Sequence, residues 1–198
     1  MSTLAPTYTS VDERPFHTHY VWAEAVLDHP IEKVWEYALD LPLWMGANHE
    51  WEPLAGETGK AGMLWRIWPR RHYVAEKGMD PDNLAPPRYH FVGIGKVIRH
   101  KLIGVEVWPE RGGSYGAAID PSHRGLDSVL FTDLGERTNV RALFIAVEDP
   151  KPDQRVDTSE EEQVAANVML HFENLQKVLG GVPLDSPATE SYREADTA

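Results

Sequence analysis

A single amphipathic helix closes the patterned part of this chain, and most of what precedes it reads as strands. From Glu160 to Leu179 the apolar residues Val164, Val168, Phe172, Leu175 and Leu179 recur at the three- and four-residue spacing of one helix face. Ser159 and Glu162 stand at capping-box spacing at its start. Glu160, Glu161 and Glu162 suit the positive end of its dipole, and Gly180-Gly181 stops it. A helix with one apolar stripe must bury that stripe, and the partner this chain offers is a sheet.

The strands can be placed by alternation and by turn residues. His19 to Leu27 alternates and runs directly into Asp28-His29-Pro30-Ile31-Glu32-Lys33-Val34-Trp35. Proline is tolerated in a first helical turn, and Ile31, Val34, Trp35 and Ala38 then repeat at helical spacing. Leu43-Trp44-Met45-Gly46 reads as a second short helix. Strand-like runs follow at Glu50–Leu54, Met63–Trp68, Tyr89–Ile98, Leu102–Trp108, Ser128–Leu134 and Thr138–Val147. Gly135-Glu136-Arg137 joins the last two as a tight hairpin. Two long insertions, Pro69 to Pro87 and Pro109 to Asp127, interrupt the series, and loops of that length are more often functional or mobile than structural. The expected organisation is a flexible arm over residues 1–16, one ligand-binding domain over 17–181, and a polar, disordered tail over 182–198.

Composition removes several function classes. No apolar run approaches the ~20 residues of a membrane span, so no membrane insertion is expected. The first residues show no basic cluster or apolar stretch of a signal peptide. Cysteine is absent, which removes disulfides and thiolate chemistry and fits the reducing cytoplasm. A net charge of −12 argues against nucleic acid, whose phosphates need a basic face. Seven tryptophans supply more flat, rigid apolar surface than a core of this size requires, which suits an apolar or aromatic ligand.

The order of elements and three local motifs resemble the START-like superfamily, also called SRPBCC, with its polyketide cyclase/dehydrase-like members. The motifs are Leu27 to Trp35, the hairpin Asp133-Leu134-Gly135-Glu136-Arg137-Thr138-Asn139-Val140, and the C-terminal helix with Phe172, Leu175 and Leu179 on one face. The resemblance implies an α+β helix-grip fold. About seven antiparallel strands curl around the C-terminal helix, two short helices follow the first strand, and a tunnel remains between sheet and helix; fold alone does not fix function. Members of the superfamily bind lipids, sterols, hormones or polyketides, and some are enzymes.

Charged residues mark the outer face of each strand. Glu24 places Trp22 and Val26 outside and His19, Val21, Ala23, Ala25 and Leu27 inside; Arg66 places Leu64 and Trp68 outside and Met63, Trp65 and Ile67 inside. Arg141 puts Val140, Ala142 and Phe144 inside, and Lys96 puts Tyr89, Phe91 and Val97 inside. The expected ligand-binding residues are Met63, Trp65, Phe91 and Phe144 from the sheet, and Ala165, Val168, Met169 and Phe172 from the last helix. Trp44, Met45 and Trp51 would stand at an entrance. His19, His49, Glu50 and His171 are the candidates for polar contact or acid–base work, with His49 and Glu50 read as a proton-transfer pair. No metal site is expected, because His17 and His19 lack a third ligand, and no cofactor motif appears.

Three functions compete. The leading one is binding of a small hydrophobic or aromatic, even polycyclic, molecule in the tunnel. The second is a cyclase/dehydratase-like enzyme using the same tunnel. The third is a chaperone-activator-like interaction module docking through an outer face with Trp22, Leu64, Trp68 and Trp108. A buried titratable group beside an apolar pocket favours the enzyme. The insertion at Pro69–Pro87, or a second copy in a homodimer, is expected to cover the outer tryptophans.

Overall fold

The structure is a computed structural model that describes residues 7–11, 14–76, 78–83, 89–109, 123–148 and 159–184; at 7–11, 14–20, 108–109, 123–126, 144–148 and 159–164 the description is of backbone alone. Its strands are β1 (Thr7–Val11), β2 (Arg14–Leu27), β3 (His49–Ala55), β4 (Leu64–Pro69), β5 (His90–Ile98), β6 (Leu102–Pro109), β7 (His123–Asp133) and β8 (Thr138–Glu148). Its helices are α1 (Ile31–Ala38), α2 (Leu41–Met45) with a 3-10 turn after it (Gly46–Asn48), α3 (Arg71–Glu76) and α4 (Ser159–Leu179).

The eight strands form one sheet in the order β1-β2-β8-β7-β6-β5-β4-β3, with every neighbouring pair antiparallel. The sheet curls around α4, so the chain has the α+β helix-grip fold that its pattern implies. Residues 7–11, expected within a loose arm, instead pair with Arg14–Thr18 and add the eighth strand at one edge. The tail beyond residue 184 lies outside the described residues.

The three motifs meet at one corner. The buried Thr138 hydroxyl donates to the His29 carbonyl at 2.9 Å, tying the late hairpin to the start of α1. The Asp28 amide donates to Gln176 Oε1 at 3.0 Å, tying the end of β2 to α4. In the hairpin, Gly135 adopts φ 81° and its amide donates to Asp133 Oδ1, a backbone state that favours glycine. At the end of α4 the amide of Val182 donates to Lys177 O and that of Gly181 to Val178 O, with Gly181 at φ 77°; this is a Schellman cap. Ile31, Val34, Trp35 and Ala38 are all buried, so α1 docks by the stripe its spacing defines.

Alternation assigns most faces correctly. Val21, Ala23 and Leu27 are buried inward, Val26 is exposed, and Glu24 meets Arg141 across the register at 2.9 Å on the outer face. Trp65 and Ile67 enter the main core, while Trp68 lies on the opposite side. Strand β5 departs from the expectation. Val92 and Ile94 face the core, and Phe91 points outward beside Tyr89, whose ring also contacts Trp68. The cause is a bulge between Ile94 and Lys96, which adds one residue and inverts parity on its N-terminal side. Counting back from Lys96 therefore misplaces Tyr89 and Phe91, whereas Val97, beyond the bulge, does pack against the core.

The first insertion is partly helical. Val74 of α3 packs with Trp68 and Tyr89 in a small second core on the outer face, so this insertion covers Trp68. Arg66 lies 4.7 Å from the Trp68 ring and is held by Glu52 at 2.6 Å. The second insertion is shorter than expected, because β7 already starts at His123.

Candidate functional site

Between the inner face of the sheet, α2 and α4 lie two adjoining chambers of about 160 and 120 Å³. They share Met45, Val105, Asn167 and His171 as walls. The sequence leaves this space open because the inner face opposite α4 carries short side chains, Val105, Val129 and Ala142, where longer ones would have reached Phe172. Phe172 and Val168 close the larger chamber from α4, and Trp44 closes it from α2. The Trp44 ring is fixed by its indole N–H, which donates to the Ala38 carbonyl at 3.2 Å, and it meets His171 edge-on at 6.2 Å. The smaller chamber is bounded by His49 and Trp51 of β3, Ile67 of β4, Val92 of β5, Val107 of β6, and Asn48. Tyr73 of α3 completes it, with its ring 4.9 Å from His49. One short insertion helix thus covers Trp68 with Val74 and walls the smaller chamber with Tyr73.

The polar groups of the cavity are strongly perturbed. Asp127, on β7 in the same parity as the buried Val129 and Phe131, projects into the larger chamber. Its Oδ1 is shut off from solvent and has no hydrogen-bond partner, and burial pushes its carboxyl up to about 7. Burial lowers His171 to about 4. Burial, helped by the charges of His90, His171, Arg70 and His72, lowers His49 to about 3. Both rings are therefore neutral at physiological pH and able to accept a hydrogen bond. Burial also lowers His90 and raises Tyr73, the latter assisted by the charge of Glu76. The Trp51 indole N–H is buried without a partner on the smaller chamber's wall. The site therefore combines an apolar cavity with a carboxyl able to change charge near neutrality, two neutral imidazoles and an unsatisfied donor. Such groups can orient a polar substituent or move a proton.

Of the residues expected to bind ligand, Trp44, Met45, Trp51, Val168 and Phe172 line the chambers, as do His49 and His171 among the acid–base candidates. Met63 and Trp65 face inward but are packed in the core, and neither borders the two chambers. Ala165 is buried and Met169 packs against the core, also outside the chamber walls. Phe91 is on the outer face, for the reason given above. Glu50 is paired in register with Trp68, and adjacent strand residues face opposite sides, so the backbone directs His49 and Glu50 to opposite faces of β3. The side chains of His19 and Phe144 lie outside the described residues. Asp127 is not among the expected site residues, because the expected second insertion extends through it and β7 starts earlier, at His123. Extending the alternation of Val129 and Phe131 back by one step places an acid on the inner face.

No family model matches the chain, and no curated protein matches it. Solved structures do. The chain is similar to Ara h 8.0201, at 10% identity and TM-score 0.54, over 83% of this chain and 99% of that one. It is similar to norcoclaurine synthase from Thalictrum flavum, solved in complex with dopamine and hydroxybenzaldehyde, at 12% identity and TM-score 0.53, over 83% and 87% of the two chains. A Staphylococcus aureus protein of unknown function matches at 10% identity and TM-score 0.55, over 83% and 96%. At these identities the likeness shows a shared helix-grip fold, in agreement with the START-like resemblance of the motifs. No helix among the described residues is long and apolar enough to cross a membrane.

Proposed function

We propose that this chain binds a small, mainly apolar molecule carrying an aromatic ring in the cavity between sheet and α4, with Asp127, His171 and His49 addressing its polar end. The observation that carries this reading is the pair of adjoining, mainly apolar chambers between sheet and α4, each about the size of one ring. An apolar cavity of about 150 Å³ accommodates benzene. By that measure each chamber suits about one ring, which favours a monocyclic or bicyclic ligand over a steroid. The norcoclaurine synthase structure, with its two small aromatic molecules, supports the same size class by analogy of fold. A titration series of 2-phenylethanol, 2-naphthol and a steroid, followed by tryptophan fluorescence, tests the proposal. The two smaller probes should bind and the steroid should not. Phe172→Trp should weaken both before it harms folding. Equal binding to parent and variant, or preference for the steroid, would contradict this.

A second reading, a cyclase/dehydratase-like enzyme, draws on one observation: the Asp127 carboxyl exchanges its proton near neutrality beside an apolar chamber, where a general acid or base works best. In that case Asp127→Asn would abolish turnover while leaving ligand affinity largely in place. The interaction-module reading draws less support: of its four expected surface residues Leu64 and Trp68 are buried, Trp22 is half-buried with Arg141 over its ring, and the side chain of Trp108 lies outside the described residues. The lack of cysteine supports a cytoplasmic setting for either activity.

A further inference from the structure

The larger chamber is bordered by one carboxyl, Asp127, among the described residues. Among the described residues, neither chamber is lined by lysine or arginine. Among the described residues, the other titratable groups of the cavity are His171 from α4, which borders both chambers, and His49 from β3 and Tyr73 from α3, which border the smaller one. Both imidazoles are held neutral by burial, and so is the Tyr73 phenol, whose ionisation burial pushes further up. Arg70 and His72 act electrically on His49, at the smaller chamber. Asp127 Oδ1 is sealed from solvent and unpartnered, a costly state for a polar atom in the free protein. The larger chamber is also bordered by His171 and Asn167, which offer two further acceptors, a nitrogen of neutral His171 and the amide oxygen of Asn167. Three acceptors match the three N–H donors of a primary ammonium group. The aromatic walls, Trp44 and Phe172, suit both a ring and a cation held near it. A net charge of −12 on the whole chain favours a cationic ligand over an anionic one.

We infer that the cavity selects a small aromatic primary amine, its protonated nitrogen held by Asp127, His171 and Asn167 and its ring against Trp44 and Phe172. This rests on the binding reading above and names the ligand class. Binding the cation stabilises the ionised carboxylate, so Asp127 gives up its proton to the solvent as the amine enters. A neutral ligand of the same shape leaves that proton in place.

The test compares 2-phenylethylamine with 2-phenylethanol by calorimetry in two buffers of different ionisation enthalpy. In the parent chain the amine should bind about ten- to hundredfold more tightly than the alcohol, the gain of a charge-assisted hydrogen bond. It should release a fraction of a proton near pH 7. Amine affinity should rise with pH up to about 7 and then level off, while alcohol affinity stays flat. Asp127→Asn should erase the preference and the proton release. An amine that binds no better than the alcohol, a preference that survives Asp127→Asn, or amine binding indifferent to pH between 5.5 and 8.5 would overturn the inference. The pH series uses the parent chain alone, so it decides the matter even if the variant folds poorly. Binding by the alcohol without amine preference leaves the binding reading standing and removes this one; binding by neither removes both.

Discussion

Asp127 is a buried carboxyl whose charge depends on whether the chain is folded. Its carboxyl is held at about 7 in the folded chain, against about 4 when unfolded. The folded state keeps a proton that the unfolded state loses across that interval. The resulting stability is complete below about pH 4 and gone above about pH 7, a loss of a few kcal/mol. His171 and His49 run the other way, because their folded rings stay neutral down to about 4 and about 3. The unfolded chain protonates both below about 6.5, so their contribution is lost as the pH falls. Asp127→Asn isolates the first effect. It should leave the melting temperature unchanged near pH 4 and raise it by several degrees at pH 8, at about 2–4 °C per kcal/mol for a chain of this size. Thermal melts at the two pH values check this; an equal shift at both would mean that the carboxyl is not held protonated by burial. At this scale the sequence was half legible. Trp44, Phe172 and His171 stand out because their types and helical positions are unambiguous. Asp127 was hidden because its face depends on where β7 begins, five residues before the expected start at Ser128.

Element by element, the pattern predicted the order of strands and helices, and the exceptions have local causes. The Gly95 region adds a residue to β5, and period-two counting cannot survive an inserted residue, so Phe91 changed face. Strand β1 was missed because a short polar strand with a neighbouring proline carries no alternation signal. Helix α3 was missed because six residues in a proline-rich insertion give too little periodicity to detect. Yet α3 sets two features of the site, through Val74 against Trp68 and Tyr73 against His49. Val74→Asp should unseat it at a cost of about 2 kcal/mol, the value of burying one valine. Iodide quenching of tryptophan should increase as Trp68 is uncovered. Quenching unchanged from the parent would show that α3 does not shield Trp68. The main core, which is separate from this cluster, should hold the fold together in the variant.

For the molecule as a whole, a sheet that curls around one helix has to leave space wherever its inner side chains are short. Val105, Val129 and Ala142 are short where α4 passes, and the chambers follow from that. The same curl brings the Leu27–Trp35, Asp133–Val140 and α4 motifs to one corner, where hydrogen bonds from Thr138 and Asp28 lock the rim of the sheet to both helices. The motifs that identify the fold therefore hold its frame, and the chambers lie elsewhere, under α2 and the middle of α4. This is why fold was legible and ligand was not: the motifs carry no information about cavity walls. The direct test of the account is where a ligand sits. In a methyl-labelled sample titrated with 2-phenylethanol and followed by NMR, saturable shifts should appear at Val105, Val129, Ala142 and Val168, while Val26 and Val74 on the outer side stay still. Shifts that spare the four cavity residues, or that centre on Val74 and its neighbours, would contradict it.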